Sequence, residues 1–480
     1  MPLTRRAFLA RTGTLAGAGA LAGAGALAGA AVLRGTARAA APPLAGAKPN
    51  VILILTDDQG VQDVSCHGHP FLKTPHMDRL AREGVSFTDF HVSPTCSPTR
   101  SAIMSGTYPF YCGVTHTIHA RERLNKNFTI LPQVLKEAGY TTGIFGKWHL
   151  GDTAGQAAES GLPYRPDRRG FDEVFVHGGG GIGQRFDYGG DYTPGQSYFD
   201  PTLFHNGTME KTEGFCTDVF FRQAMEWIGG VKDRPFFAYI PTNAPHGPLK
   251  WAPEDAQKPY KNLPGKGADS AVYFGMVANI DENIGRLLAF LKAQGLEEKT
   301  LVLFVTDNGH SGGAVKAYTM GLRGGKGSPY AGGTRAVSFW RWPGTLPAGT
   351  TVGAFAAHID LLPTFAELGG AKLPTTHTVH GRSLVPLLGD PKAPWKDRYH
   401  FVHCGRWAAG KADESKFKGC AVRKGQFKLV GDKELYDLKA DPGEQHNVLA
   451  DHADVAADLR AAYDAWWDEA RKRLVNEAGP

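Results

Sequence analysis

Asn50-Val51-Ile52-Leu53-Ile54-Leu55-Thr56-Asp57-Asp58-Gln59-Gly60 decides the architecture of this 480-residue chain. An unbroken aliphatic run that stops at two carboxylates and a glycine reads as a strand buried on both faces, ending at a polar edge. Three further stretches repeat the arrangement. Thr141-Thr142-Gly143-Ile144-Phe145 runs into Gly146-Lys147-Trp148-His149. Pro235 to Ile240 runs into Pro241-Thr242-Asn243-Ala244-Pro245-His246-Gly247, and Thr300 to Val305 runs into Thr306-Asp307-Asn308-Gly309-His310.

Helical patterns at 76–82, 129–138, 217–229, 270–293 and 360–368 alternate with these runs. Such alternation predicts an α/β fold: a three-layer domain with a large, mostly parallel sheet. Open α/β sheets bind ligands beyond the C-terminal ends of their strands. Asp57, Asp58, Lys147, His149, His246, Asp307 and Asn308 all follow a predicted strand. Two adjacent aspartates and an Asp-Asn pair are hard oxygen donors, which suit Ca²⁺ or Mg²⁺ rather than zinc.

Beyond residue 390 the pattern changes. Short strand-like runs around 399–403, 419–423 and 426–430, then Glu434-Leu435-Tyr436-Asp437-Leu438 and an amphipathic stretch at 453–473, predict a small antiparallel sheet with a packing helix. Residues 152–215, rich in Gly, Asp, Tyr and Phe around Gly178-Gly179-Gly180-Gly181, read as long loops near the site. The expected division is a leader at 1–39, a catalytic domain at 46–389 and a C-terminal subdomain at 390–480.

The leader carries its own signals. Thr4-Arg5-Arg6-Ala7-Phe8-Leu9 resembles a twin-arginine export signal, a Gly/Ala/Leu run follows, and Ala37-Arg38-Ala39 suits cleavage after Ala39. The formal charge of +6 belongs mostly to this segment, which holds Arg5, Arg6, Arg11, Arg34 and Arg38 and no acid. The remainder is nearly balanced, which argues against nucleic acid as a partner. No second stretch approaches the length of a membrane span. Six cysteines show no C-x-x-C spacing, which speaks against a structural zinc site. Cys404 and Cys420 flank one short segment and are disulfide candidates, although spacing does not determine the geometry.

Cys96-Ser97-Pro98-Thr99-Arg100, continuing Ser101-Ala102-Ile103-Met104-Ser105-Gly106, resembles the maturation signature of type I sulfatases. The stretch from Asn50 to Gly60, Gly146-Lys147-Trp148-His149, Pro245-His246-Gly247, Thr306-Asp307-Asn308-Gly309, Gly325-Lys326-Gly327 and Asp360-Leu361-Leu362-Pro363-Thr364 follow in the order of that family, within the alkaline-phosphatase superfamily. The resemblance implies that Cys96 is oxidised to formylglycine, whose hydrate attacks sulfur. It implies one divalent cation, Ca²⁺ by family habit, held by Asp57, Asp58, Asp307, Asn308 and an oxygen of residue 96. His149 would then collapse the covalent sulfate hemiester by taking a proton from the second hydroxyl. Arg100 and Lys147 would neutralise charge, and His246 and Lys326 would bind sulfate and assist the leaving oxygen. Arg323, three residues before Lys326, is the neighbouring cation that could take the same place.

The expectation is therefore an exported hydrolase of aryl or carbohydrate sulfates, periplasmic or extracellular. Its partners are a sulfated substrate, a formylglycine-generating enzyme and the twin-arginine machinery, with no membrane span after signal removal. The alternatives are a formylglycine-dependent phosphonate or phosphate monoesterase on the same fold, and a sulfated-glycan binding protein without turnover. Substrate, linkage, endo or exo action and oligomeric state stay open. Candidate leaving-group contacts lie in 152–215, 311–335 and 403–411.

Overall fold

A computed structural model describes residues 44–151, 162–182, 198–263, 267–311 and 318–474. The expected leader lies outside these residues, as do parts of the loops assigned to the site. The described residues belong to one compact unit.

Sixteen strands are described: β1 (Asn50–Thr56), β2 (Val85–Phe87), β3 (Phe90–His91), β4 (Thr141–Lys147), β5 (Glu173–His177), β6 (Thr202–His205), β7 (Thr208–Lys211), β8 (Phe236–Pro241), β9 (Thr300–Thr306), β10 (Ser338–Arg341), β11 (Thr350–Val352), β12 (Ala356–Ala357), β13 (His400–His403), β14 (Cys420–Lys424), β15 (Phe427–Val430) and β16 (Glu434–Asp437). Ten form one sheet in the order β11-β2-β10-β9-β1-β8-β4-β5-β6-β7. Its centre, β9-β1-β8-β4-β5, is parallel. Antiparallel pairs flank it on both sides, at β9-β10, β10-β2, β5-β6 and β6-β7. The sheet is large and mixed, mostly parallel where it carries the site.

The principal helices are α1 (Pro75–Arg82), α2 (Cys96–Ser105), α3 (Leu131–Glu137), α4 (Cys216–Val231), α5 (Ala268–Ala293), α6 (Leu361–Gly369) and α7 (Ala453–Arg471). The central strands are apolar on both faces because each face is covered. Ile52, Ile54, Ala238, Ile240 and Phe304 pack with Phe220 and Phe221 of α4 and Met276 and Ile280 of α5. Val51, Leu53, Leu55, Phe237, Leu303 and Val305 pack with Leu131 and Leu135 of α3 and Phe365 of α6. Among the described residues no helix is long and apolar enough to cross a membrane.

Residues 152–215 are not wholly loop. Their described part contains β5, β6 and β7, which extend the sheet outward from β4. Their alternation is too short to stand out beside the glycine run, and tertiary pairing with β4 supplies what local pattern does not. Residues 152–161 and 183–197 lie outside the described residues.

The four strands β13-β14-β15-β16 form the antiparallel C-terminal sheet. Val422, Leu429 and Leu435 pack with Leu459, Tyr463, Trp466 and Trp467 of α7, and this cluster extends to Ala102 of α2 and to Phe110. Ile103 and Met104 of α2 pack instead into the main-sheet cluster, so the helix that begins at Cys96 is braced from both sides. Arg423 of β14 fastens the sheet further by a bidentate bridge to Asp89, at 2.8 and 2.6 Å. Cys404 and Cys420 are both free thiols. Cys420 faces the aromatic cluster opposite His403 in the β13–β14 ladder, so the disulfide left open by the sequence is absent.

Candidate active site

All ten sequence-predicted residues converge at the C-terminal edge of the central strands. Asp57 and Asp58 follow β1, Lys147 ends β4, His149 lies two residues on, His246 follows β8, and Asp307 and Asn308 follow β9. Cys96 opens α2, with Thr95 as its N-cap residue in extended backbone. Pro98 lies in the first turn of this helix, where a missing N–H costs nothing. Gly146 is required in β4: at φ 135° a Cβ there would stand 2.0 Å from Pro241 O.

Asp57, Asp58, Cys96, Arg100, Lys147, Asp307 and Asn308 are all at most 2% exposed. Lys147 Nζ donates to Asp57 Oδ2 at 2.5 Å, and Arg100 Nη2 donates to Asp307 Oδ2 at 2.9 Å. Arg100 Nη1 also donates to Lys147 O at 3.0 Å. Lys326 Nζ bridges to Asp58 at 2.6 Å, which places it in the cluster. Arg323 turns away, its guanidinium 3.2 Å from Glu434 and 2.6 Å from the Tyr436 hydroxyl.

The donor set fits a hard divalent cation. Ligand atoms of Asp57, Asp58, Cys96 and His246 lie within 4.8 Å of one another. Asp57 Oδ1 and Asn308 Oδ1 are buried with no hydrogen-bond partner. Buried polar atoms are almost always satisfied, so these two oxygens mark where a ligand belongs. The Asn308 amide is oriented accordingly, with Nδ2 donating to Asp58 Oδ1 at 2.9 Å. Asp307 is turned differently, accepting the Asp58 N–H at Oδ1 and Arg100 at Oδ2.

The electrostatics follow from burial against dense charge. Burial pushes the Asp57 carboxyl up, but Lys147, His246, Arg100 and Lys326 together hold it well below the usual carboxylate range. Burial, reinforced by the Asp57 charge, pushes Asp307 up to about 7. The Cys96 thiol is pushed up to about 12 by burial and by Asp57, so an unmodified thiol there would not ionise near neutral pH.

Two histidines are held in defined tautomers. His149 Nε2 donates to Thr117 O at 2.8 Å, leaving a buried Nδ1 with no partner. Burial, then the charges of Lys147 and Arg100, hold this imidazole well below its ordinary pKa, so it is neutral and Nδ1 is a proton acceptor. His246 Nδ1 donates to Gly247 O at 2.6 Å, which presents Nε2 toward Asp58, 3.8 Å away. Asp58 and His149 adopt left-handed backbone, φ 64° and 54°, which is strained for a residue with a Cβ and is held here by the surrounding packing.

His177 is a site residue that none of the sequence motifs contains. It ends β5 directly opposite Lys147, and both of its ring nitrogens are buried without a partner. The strand-end rule that marks Lys147 applies equally to His177, but only once β5 is recognised as a strand.

Two family models match this chain: "Sulfatase" over residues 49–371, and the C-terminal part of N-sulphoglucosamine sulphohydrolase over 330–465. Arylsulfatase A of Homo sapiens is 30% identical, with 86% of this chain and 85% of the relative covered. Among solved structures, Ps i-CgsB in complex with k-i-k-neocarrahexaose superposes with a TM-score of 0.77 at 30% identity, covering 88% of this chain and 93% of the neighbour. The phosphonate monoester hydrolase of Agrobacterium radiobacter shares the fold, with a TM-score of 0.60 at 22% identity over 89% of this chain and 96% of the other.

Proposed function

Because the chain belongs to the sulfatase family, as a type I sulfatase of the alkaline-phosphatase superfamily and a sulfuric ester hydrolase, we propose an exported enzyme that cleaves carbohydrate or aryl sulfate monoesters at a formylglycine derived from Cys96. The observation that carries this reading is the meeting of Cys96 with Asp57 and Asp58 within one ligand sphere, at the start of a helix. A carbohydrate substrate is favoured by the likeness to Ps i-CgsB, whose structure is a complex with a neocarrahexaose.

Asp57, Asp58, Asp307 and Asn308 would hold one divalent cation, Ca²⁺ before Mg²⁺, with residue 96 completing the set. When bound, the cation supplies Lewis acidity that lowers the pKa of a hydroxyl at residue 96. The chain's own groups do the rest. The first backbone N–H groups of α2 and the buried Arg100 and Lys147 charges form an anion cradle beside residue 96. Lys147 is anchored on Asp57 and Lys326 on Asp58, so their remaining N–H bonds are free to engage sulfate oxygens.

In its doubly protonated form His246 would present Nε2–H to the leaving oxygen as a general acid, its ring fixed by the Nδ1–H bond to Gly247 O. His149 would accept a proton at Nδ1 from residue 96, because the Thr117 carbonyl holds its other proton at Nε2. Export by the twin-arginine route, with residues 1–39 removed and residue 96 matured on the unfolded chain, completes the proposal, as does a division into domains at 46–389 and 390–480.

The test is a parallel assay on an aryl sulfate, a sulfated oligosaccharide panel, a phosphate monoester and a phosphonate ester. Sulfate esters are expected to be turned over fastest. Faster turnover of a phosphorus ester, with sulfate esters poor, would overturn the assignment.

A further inference from the structure

Residue 406 stands where the C-terminal sheet meets the candidate active site. After β13 the segment Gly405–Trp407 crosses to the loop at 115–121. Buried Arg121 grips it on both sides of residue 406, donating from Nη2 to Gly405 O at 2.8 Å and from Nη1 to Trp407 O at 2.7 Å. The Arg121 guanidinium also lies 5.1 Å from the centroid of the Trp407 ring. Gly405, at φ 69°, packs so closely that a Cβ would stand 2.0 Å from Thr115 O. The backbone beneath residue 406 is therefore rigid.

The Arg406 side chain projects from this clamp and is exposed. Among the described residues its guanidinium has no hydrogen bond and no ion pair. Its Nη1 lies 3.9 Å from the position a Cβ would take on Gly327. The Gly327 N–H donates to Pro94 O, two residues before Cys96, and the adjacent Lys326 reaches Asp58. An unpaired cation is thus held over the two loops that carry Cys96 and Lys326.

His116, whose backbone N–H donates to Arg121 O in the clamped loop and whose ring is near enough to feel the Arg406 charge, adds a donor. Its Nδ1 accepts the N–H groups of Thr117 and Ile118 at 2.8 and 3.2 Å, so the proton sits on Nε2. The charge of Arg406 helps to hold this ring near pKa 4, behind burial and Arg121, which keeps it neutral and bound to that tautomer. The scissile sulfate has its own cations in Arg100, Lys147 and Lys326. A further arginine held rigidly outside them, unpaired, is arranged for a different anion, and a guanidinium binds carboxylate or sulfate oxygens as a planar fork.

We propose that Arg406, with His116 beside it, forms a subsite for a second anionic group on the alcohol side of the substrate, a carboxylate or a second sulfate, so that the enzyme prefers polyanionic sulfate esters to singly charged ones. This deepens the sulfate-ester reading above and rests on it.

The test compares kcat/KM for a hexosamine monosulfate, the same sugar with a second sulfate, and the same sugar sulfate joined to a uronate, using wild type, Arg406→Lys, Arg406→Ala and Arg406→Glu. The two dianionic arms separate sulfate from carboxylate as the preferred second anion. Wild type is expected to favour at least one of them. Arg406→Ala should reduce that preference by roughly tenfold to a hundredfold, the value of a charge-assisted hydrogen bond, mainly through KM. The lysine variant should fall between, the glutamate variant should fall furthest, and the wild-type preference should shrink with added salt. Equal kcat/KM for all three substrates in wild type, or a ratio unmoved across the series, would overturn the subsite. Calorimetric binding of the same three sugars in a Cys96→Ala background separates the two questions. Binding without turnover of any of them in wild type counts against the hydrolase reading, while the dianion preference is still read from affinity.

Discussion

Arg100 and Asp307, 207 residues apart in the chain, pair at 2.9 Å with both side chains wholly buried. The pair ties the helix that begins at Cys96 to the end of β9, and Arg100 also spans to Lys147 O at the end of β4. One guanidinium therefore sets the spacing between residue 96 and the strand ends that carry Asp307 and Lys147. A buried pair contributes little net stability over an apolar substitute, but losing one partner leaves the other charge stranded.

Arg100→Met should for that reason lower stability by about 3–5 kcal/mol, with the buried Asp307 left without its cation partner. Arg100→Lys should lose less, since the charge stays while the bond to Lys147 O is lost. Urea unfolding midpoints read both effects. An unmoved midpoint for Arg100→Met would show that the site is not held in this way.

Cys96→Ala should abolish turnover and leave the unfolding midpoint within about 1 kcal/mol of wild type, since it removes the reacting group and keeps the Cβ at the start of the helix. In the mature protein, peptide mass spectrometry across 96–100 should find an aldehyde in place of the thiol. A fully active protein with an intact thiol at residue 96 would refute formylglycine, all the more because burial pushes that thiol up to about 12.

Removal of divalent cations should silence the enzyme, and Ca²⁺ should restore it better than Mg²⁺. The same addition should stabilise the fold, by about 2.7 kcal/mol at a hundredfold excess over Kd, because it compensates Asp57, Asp58 and Asp307 together. Thermal melting with and without chelator provides a readout independent of activity. Full activity and an unchanged melting point after chelation would exclude the cation.

Acid should loosen the seam between the C-terminal sheet and the main sheet. Burial lowers His91 to about 4, with Asp89 opposing and Arg423 assisting, and burial with Arg398 and His91 lowers His358 to about 3. A histidine whose pKa is depressed on folding leaves the unfolded chain the better proton acceptor, so stability is intact above about pH 6.5 and is lost as pH falls toward 4. For His91 the full loss is about 3 kcal/mol. His91→Gln should reduce the difference in urea midpoint between pH 7 and pH 5, and an identical difference in wild type and variant would rule out this origin.

The leader is testable on its own. Replacing Arg5 and Arg6 with lysine should trap the protein in the cytoplasm, whereas exported wild type should begin at Ala40. An unchanged extracytoplasmic yield in the double variant would argue for another route.

Much of the site is legible in residue pattern alone. The four runs that become β1, β4, β8 and β9 are aliphatic on both faces because both faces are covered, and their polar C-terminal edges mark Asp57, Lys147, His246 and Asp307 wherever the intervening chain goes. The helix α7 is equally readable, since burial of one face imposes a 3.6-residue period on the sequence, and α5 shows as a long apolar stretch because Ser270 to Val277 is buried all round. β5 to β7 are not, because short outer strands take their conformation from a neighbour rather than from their own composition, and His177 is hidden with them.

The sequence by itself therefore determined the fold class, the identity of the chemical groups and the order in which the chain delivers them. These depend on local pattern and on residue type. Tertiary structure alone decided that Lys326 rather than Arg323 reaches Asp58, that Thr117 O selects the proton acceptor of His149, that Cys404 and Cys420 remain apart, and that Arg121 holds Arg406 over the site. Each of these turns on a contact of a few ångströms between distant segments, and packing sets such distances where sequence spacing does not.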